Sequence, residues 1–189
     1  MIVLLYFKYN TDKILLERHK KRKENKMEYW DIYDEFKNKT GKVLKRGDKL
    51  NDDEYHLVTN AWIKNSKGEF LITQRSSTKS HPLMWECTGG SAVLGEDTYM
   101  AAIREAKEEL GIDISNVPYK FIGSTKRYYP NCPDILDVYL FDFDCAISNV
   151  SIQEEEVNDV MWASSDKIKM LYDNNMFEAN AYFEDIVFG

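Results

Sequence analysis

GSAVLGEDTYMAAIREAKEELGI, residues 90–112, joins a glycine-containing loop to the clearest helical pattern in the chain. Asp97 is placed to cap a helix N-terminus and Gly111 to stop one, so the spacing predicts a helix over Thr98–Leu110. At about 100° per residue, Tyr99, Ala102, Ile103, Ala106 and Leu110 form one apolar stripe, the expected core face. Glu105, Glu108 and Glu109 fall on the adjoining arc. Like charges at i, i+3 and i+4 destabilise a bare helix, and without a cation at least one of them would tend to hold a proton. A divalent metal removes the conflict. Carboxylates are hard oxygen donors, which favours Mg²⁺ or Mn²⁺ over Zn²⁺ or Cu²⁺. The competing reading is a solvated acidic face in which Arg104 pairs with Glu108.

The loop before the helix decides between them. Gly90, Glu96, Arg104, Glu105, Glu108, Glu109 and Gly111 spell G-x5-E-x7-R-E-x2-E-E-x-G. Seven fixed positions, at about one in fifteen each, coincide by chance in roughly one register per 10⁸. The stretch resembles the signature of the Nudix hydrolase family. One position departs: Ala106 stands where the family usually has a bulky aliphatic residue, and it still lies on the core face.

The resemblance implies an α/β fold, a Nudix-type α/β/α sandwich around a mixed β-sheet, and hydrolysis of a diphosphate linked to another group. It also implies roles. Glu105, Glu108 and Glu109 would be metal ligands, Arg104 would orient a carboxylate (usually Glu105), and Glu96 would support the metal site. Gly90 and Gly111 would permit the loop turns. Mg²⁺ or Mn²⁺ would neutralise charge on the phosphate oxygens and orient the attacking water. A further carboxylate ligand or general base often comes from a later loop; Glu156 and Glu155 are the candidates, with Glu154 beside them, and a charged surface turn is the alternative.

Other residues are candidates of a weaker kind. Arg75 and Lys79 could meet a substrate phosphate, and Arg75 could equally form an ion pair. His81, before Pro82, reads as part of a turn. Trp85 is expected to pack under the signature loop. Tyr128 and Tyr129 could stack on a base or be buried in a strand.

Around the helix the pattern is that of strands. Tyr29–Tyr33 alternates, Asn38–Gly41 reads as a turn, and Lys42–Arg46 as its partner strand. HLVTNAWIK (56–64) and EFLITQR (69–75) flank a hairpin turn at Asn65–Gly68. Ser76–Trp85 reads as loop. Phe121–Tyr128, Ile135–Cys145 and Val157–Ala163 read as strands, a helix follows from Ser164 to about Tyr172, and a last helix is expected over about Phe177–Val187.

Composition bounds the rest. The 189 residues carry a net charge of −7, divided as +5 over residues 1–26 and −12 over 27–189. Residues 1–26 are expected to form a basic N-terminal extension, and 27–189 a single domain. The extension reads as a docked element, a basic arm, or residues upstream of a true start at Met27. An acidic body argues against nucleic acid as a partner, and no apolar run reaches the roughly 20 residues a membrane span needs. Three scattered cysteines and no signal-like order of charge and apolar residues point to a reduced, cytoplasmic compartment. The expected partner is a small-molecule diphosphate; homodimers are frequent in the family.

WDIYDE (30–35), Tyr55–Leu57 and Trp85 carry a second resemblance, to isopentenyl diphosphate isomerase and the isomerase-like Nudix hydrolases, extending over roughly residues 28–187. The isomerases need a cysteine near the place of Gly90, and usually degrade the Glu-x-x-Glu-Glu pattern. Here the place holds glycine, Cys87 lies three residues earlier, and the pattern is intact. Hydrolysis is therefore expected over isomerisation. A non-catalytic nucleotide-binding module is the third reading, and the complete carboxylate set argues against it.

Overall fold

The protein is described by a computed structural model covering residues 27–189. The basic extension expected over residues 1–26 lies outside the described residues. The centre of the sheet is β3 (His56–Lys64) lying parallel to β8 (Asp134–Asp142), paired from His56↔Asp134 to Lys64↔Asp142. β7 (Tyr119–Arg127) adds antiparallel to β8. On the other edge of β3, two strands share the space. β4 (Phe70–Arg75) joins at the far end through Lys64↔Phe70, and β6 (Thr88–Ser91) covers Val58 to Ala61. β4 continues the sheet to β5 (Trp85–Glu86) and β9 (Val157–Ala163). β1 (Tyr29–Tyr33) and β2 (Lys39–Lys45) form a separate two-stranded ribbon.

Side chains alternate across the pleat, so each central strand feeds two cores. Ala61, Ile63, Tyr139 and Phe141 face α1 (Thr98–Leu110) and its Ala102, Ala106 and Leu110. Trp62, Leu136 and Val138 face the opposite way, onto Ile168 and Leu171 of α2 (Ser165–Asp173) and Phe183 and Ile186 of α3 (Phe183–Val187). This is the expected mixed sheet between helical layers. Ala106 is fully buried, and its small side chain suits a close helix–sheet approach. Ala101 is buried too, while Tyr99 and Ile103 at the edges of the stripe are partly covered.

Three expectations are corrected. The first turn comes earlier than Asn38–Gly41. The Asp34 carboxylate accepts from the Phe36 and Asn38 N–H groups at 2.9 and 2.8 Å, and Lys37 takes φ 64°. The turn therefore closes at Asn38, and Gly41 falls inside β2. Second, the expected loop holds over residues 76–84, but Trp85 itself opens the short strand β5, and β6 follows it unforeseen. Third, the last helix shrinks to α3. Trp85 N–H donates to Met176 O and Glu178 N–H donates to Trp85 O, both at 2.8 Å. The backbone at 176–178 is thus used along the edge of β5 and is not available for a helix. Among the described residues no helix is long and apolar enough to cross a membrane.

Candidate active site

Both ends of α1 are fixed locally. Asp97 Oδ1 accepts from the Met100 N–H at 2.8 Å, and Gly111 closes the helix in the left-handed region at φ 67°. From this rigid element Arg104 reaches back over the preceding loop. Its Nε and Nη2 donate to the two oxygens of Glu96 at 2.8 and 3.0 Å. Nη1 donates to Glu105 at 2.8 Å and to Glu108 at 3.1 Å, and Nη2 also donates to the Ser91 carbonyl at 2.9 Å. Glu96 in turn accepts from the Val93 N–H at 3.1 Å. One guanidinium thus ties three carboxylates and the loop into a single network. Burial opposes the Arg104 charge, but Glu96 and Glu105 outweigh it and hold the group more firmly protonated than usual.

Gly90 does something other than turn the chain. It lies in β6 opposite Thr59, and a Cβ there would stand 2.2 Å from Glu105 Oε1. The missing side chain is the space the Glu105 carboxylate uses. Gly89 has a different neighbour: its Cβ would meet the Thr59 carbonyl oxygen at 2.2 Å. Glu109 is buried and accepts from Thr88 Oγ1 at 2.6 Å. Burial first, and Glu105 second, push its carboxyl up to about 7. Burial, with Glu108 adding, also raises Glu105 against the pull of Arg104.

Lys79 links this group to the later loop. Its ammonium is 2.8 Å from Glu156 and 4.0 Å from Glu109. Glu156 therefore stands beside the helix carboxylates, whereas Glu155 and Glu154 are exposed, Glu155 giving its backbone carbonyl to Ser76 Oγ at 2.9 Å. Arg75 is engaged as an ion pair. Nη1 donates to both Glu86 oxygens at 2.7 Å, and Nε and Nη2 hold the Ser80 carbonyl and hydroxyl at 2.7 and 3.0 Å. His81 is exposed, at φ 49°, with Nδ1 3.1 Å from Glu178. Trp85 packs in the core on the α2–α3 side, not under the signature loop. Tyr128 and Tyr129 are exposed, and the Arg127 guanidinium lies over the Tyr129 ring at 5.3 Å.

Sequence reasoning missed Thr88 and Glu86. Thr88 has no motif of its own and gains its place through pairing with Ala61. Glu86 is partly buried, its carboxyl raised by that burial, and it acts electrostatically on Glu109. Its nearness in sequence to the signature loop was the available signal.

Among the described residues, no three His, Cys, Asp or Glu side chains converge as a ready-made metal site. Glu105 and Glu108 are turned onto Arg104 and Glu109 onto Thr88. The donor set nonetheless fits a hard divalent cation. It is all carboxylate oxygen, and Glu109 is pushed up by burial first and by the Glu105 carboxylate second, two effects that a bound cation would oppose.

A layered mixed sheet carrying this loop and helix defines the Nudix domain, and the profile of the NUDIX domain matches residues 54–184. The chain belongs to the Nudix hydrolase family. It is 37% identical over 155 residues to an uncharacterized Nudix hydrolase of Listeria innocua, covering 80% of this chain and 88% of the relative. It is 28% identical over 145 residues to the isopentenyl-diphosphate Delta-isomerase of Citrobacter koseri, covering 72% and 77%. A crystal structure of a Deinococcus radiodurans protein superposes with a TM-score of 0.67 over 84% of this chain and 97% of that one. At 21% identity that is a likeness of fold.

Proposed function

We propose that the protein is a metal-dependent diphosphohydrolase that cleaves a diphosphate linkage in a small molecule of the nucleoside diphosphate-X type. The observation that carries this reading is the carboxylate cluster itself: Glu105 and Glu109 on α1, with Glu156 drawn beside Glu109 by Lys79. Glu105, Glu108 and Glu109 would hold Mg²⁺ or Mn²⁺, with Glu96 and Arg104 fixing their orientation. The bound cation would supply the positive charge that the diphosphate oxygens need as the bond to phosphorus breaks. Arg104 opposes the burial that raises the Glu105 carboxyl and holds it over Gly90. Glu156 is the general-base candidate, because it is partly exposed where Glu109 is buried. Lys79 steadies Glu156 and offers an ammonium to a phosphate.

Likeness to an isopentenyl-diphosphate isomerase suggests proton transfer on an alkene as a second reading. Two observations oppose it. A Cβ at Gly89 or Gly90 collides with Thr59 O or Glu105, so this backbone has no room for a thiol there. Cys87 lies buried in the α2–α3 core, its thiol pushed up by burial. The test is incubation with Mg²⁺, then Mn²⁺, and a panel of ADP-ribose, NADH, nucleoside triphosphates, dinucleoside polyphosphates, coenzyme A and isopentenyl diphosphate. Metal-dependent cleavage that disappears in Glu108→Gln is the expected result. Dimethylallyl diphosphate as product would overturn the hydrolase reading, and ligand binding without turnover of any panel member would favour a binding module.

A further inference from the structure

Two residues of β6 lie beneath two carboxylates of α1. Thr88 pairs with Ala61 and Gly90 with Thr59, and Ala61 faces α1, so Thr88 and Gly90 share that face of the strand. Gly90 stands under Glu105, where a Cβ would be 2.2 Å from Oε1. Thr88 stands under Glu109, its Oγ1 2.6 Å from Oε2. The spacings match. Two residues of strand advance about 6.6 Å, and the four residues from Glu105 to Glu109 advance about 6 Å along the helix. β6 thus offers a gap to one carboxylate and a hydroxyl to the next, one helical turn away.

The two oxygens of Glu109 have different surroundings. Oε2 is held by Thr88. An ionised carboxylate only accepts, so the hydroxyl donates, and 2.6 Å is the length expected of a hydroxyl-to-carboxylate bond. Oε1 takes no hydrogen bond from the described residues and is not sealed from solvent. The Lys79 ammonium, 4.0 Å from Oε1, marks its open side, and Glu156 lies on the same side, 2.8 Å from that ammonium. Thr88 is 1% exposed, so it acts on a ligand only through Glu109. Its branched side chain has few rotamers, and the pairing of β6 with β3 sets where the hydroxyl points.

From this geometry we infer that Thr88 is a positioning residue for Glu109: its hydroxyl engages Oε2 and leaves Oε1 to meet a cation on the side of Glu156. The inference rests on the metal-dependent reading of the carboxylate cluster. It gives Thr88 the part for Glu109 that Arg104 and Gly90 play for Glu105, and it does so without a charge.

Mn²⁺ is the probe. Its binding to the full chain, without substrate, is followed by the electron paramagnetic resonance of the free ion, at a temperature where each variant is folded. The wild-type protein should bind saturably and Glu108→Gln more weakly; this arm tests the metal site itself. Thr88→Val keeps the shape, removes the donor, and should lower Mn²⁺ affinity about ten- to a hundredfold. Thr88→Ser keeps the donor and should recover most of that loss. Thr88→Ala also removes the donor and takes the place of Thr88→Val if that variant does not fold. Wild-type affinity in a folded variant without the hydroxyl overturns the positioning role and leaves the metal site standing. Equal losses in Thr88→Ser and Thr88→Val overturn it too, because packing rather than the hydroxyl would then matter. No saturable Mn²⁺ binding by the wild-type protein removes the cation reading, and the inference with it.

Discussion

The two flanks of α1 solve the problem of charge near a core in opposite ways. On one, Arg104 gathers Glu96, Glu105 and Glu108, and Glu109 is buried next to them. Four carboxylates share one guanidinium and the more distant Lys79, and burial, with Glu105 adding, lifts Glu109 to about 7. On the other, one buried carboxylate, Asp137, meets one ammonium, Lys37, in an aromatic setting. The first arrangement suits a site completed by a cation. The second is nearly balanced by itself and ties the β1–β2 ribbon to the sheet. Excess charge should therefore control activity, and balanced charge should control stability.

The sharpest way to break that comparison is Glu108→Gln. Glu108 is partly exposed, so its loss should change unfolding by under about 1 kcal/mol while lowering cleavage about 10²–10³-fold. Equal effects on both, measured by urea melts and turnover, would erase the distinction. Lys37→Met should do the reverse. It leaves Asp137 buried with its charge unmet and destabilises the fold by about 3 kcal/mol, with turnover retained at a temperature where the variant is folded.

The neighbouring glycines repeat the contrast within two residues. Gly89→Ala drives a Cβ against the Thr59 backbone, which cannot give, and should lower stability by about 2 kcal/mol. Gly90→Ala presses on the end of Glu105, a side chain that can swing away. It should spare stability and reduce turnover. If both variants behave alike in melts and assays, the Glu105–Gly90 contact has no functional role.

pH refines the ribbon side. His56 stacks on Trp30 of β1 at 4.0 Å, with Nδ1 facing the Pro133 carbonyl at 3.2 Å. Burial, helped by Arg127 and Arg46, pushes its pKa down to about 4. The unfolded histidine titrates near 6.5. Between those values the unfolded chain binds more protons, so this stabilisation is full above about pH 6.5 and is lost as pH falls towards 4, by about 1.4 kcal/mol per unit. The stability difference between the wild-type protein and His56→Phe should shrink at that rate on acidification. A pH-independent difference would show that His56 is not held neutral.

Much of this was readable from residue order. The limits of α1, its cap and stop, β3, β9 and the Asn65–Gly68 hairpin follow from local patterns of capping, turn chemistry and alternation, and the structure shows them with little change. The first turn was misplaced because an Asp34 side chain, not glycine, closes it. The last helix was overextended because its first residues bond to Trp85, a partner ninety residues away in sequence.

By itself the sequence determined the Nudix signature, the helix and the line of carboxylates along it, since all of these depend on spacing within about twenty residues. Only the tertiary structure decided which later carboxylate joins them, through Lys79 and Glu156, and that Arg75 is occupied by Glu86. It also decided that Gly90 makes room for Glu105, and that Asp137 and Lys37, a hundred residues apart, meet beneath the helix N-terminus. Strand pairing and burial create those contacts. Both are properties of the packed chain, and no local window of residues contains them.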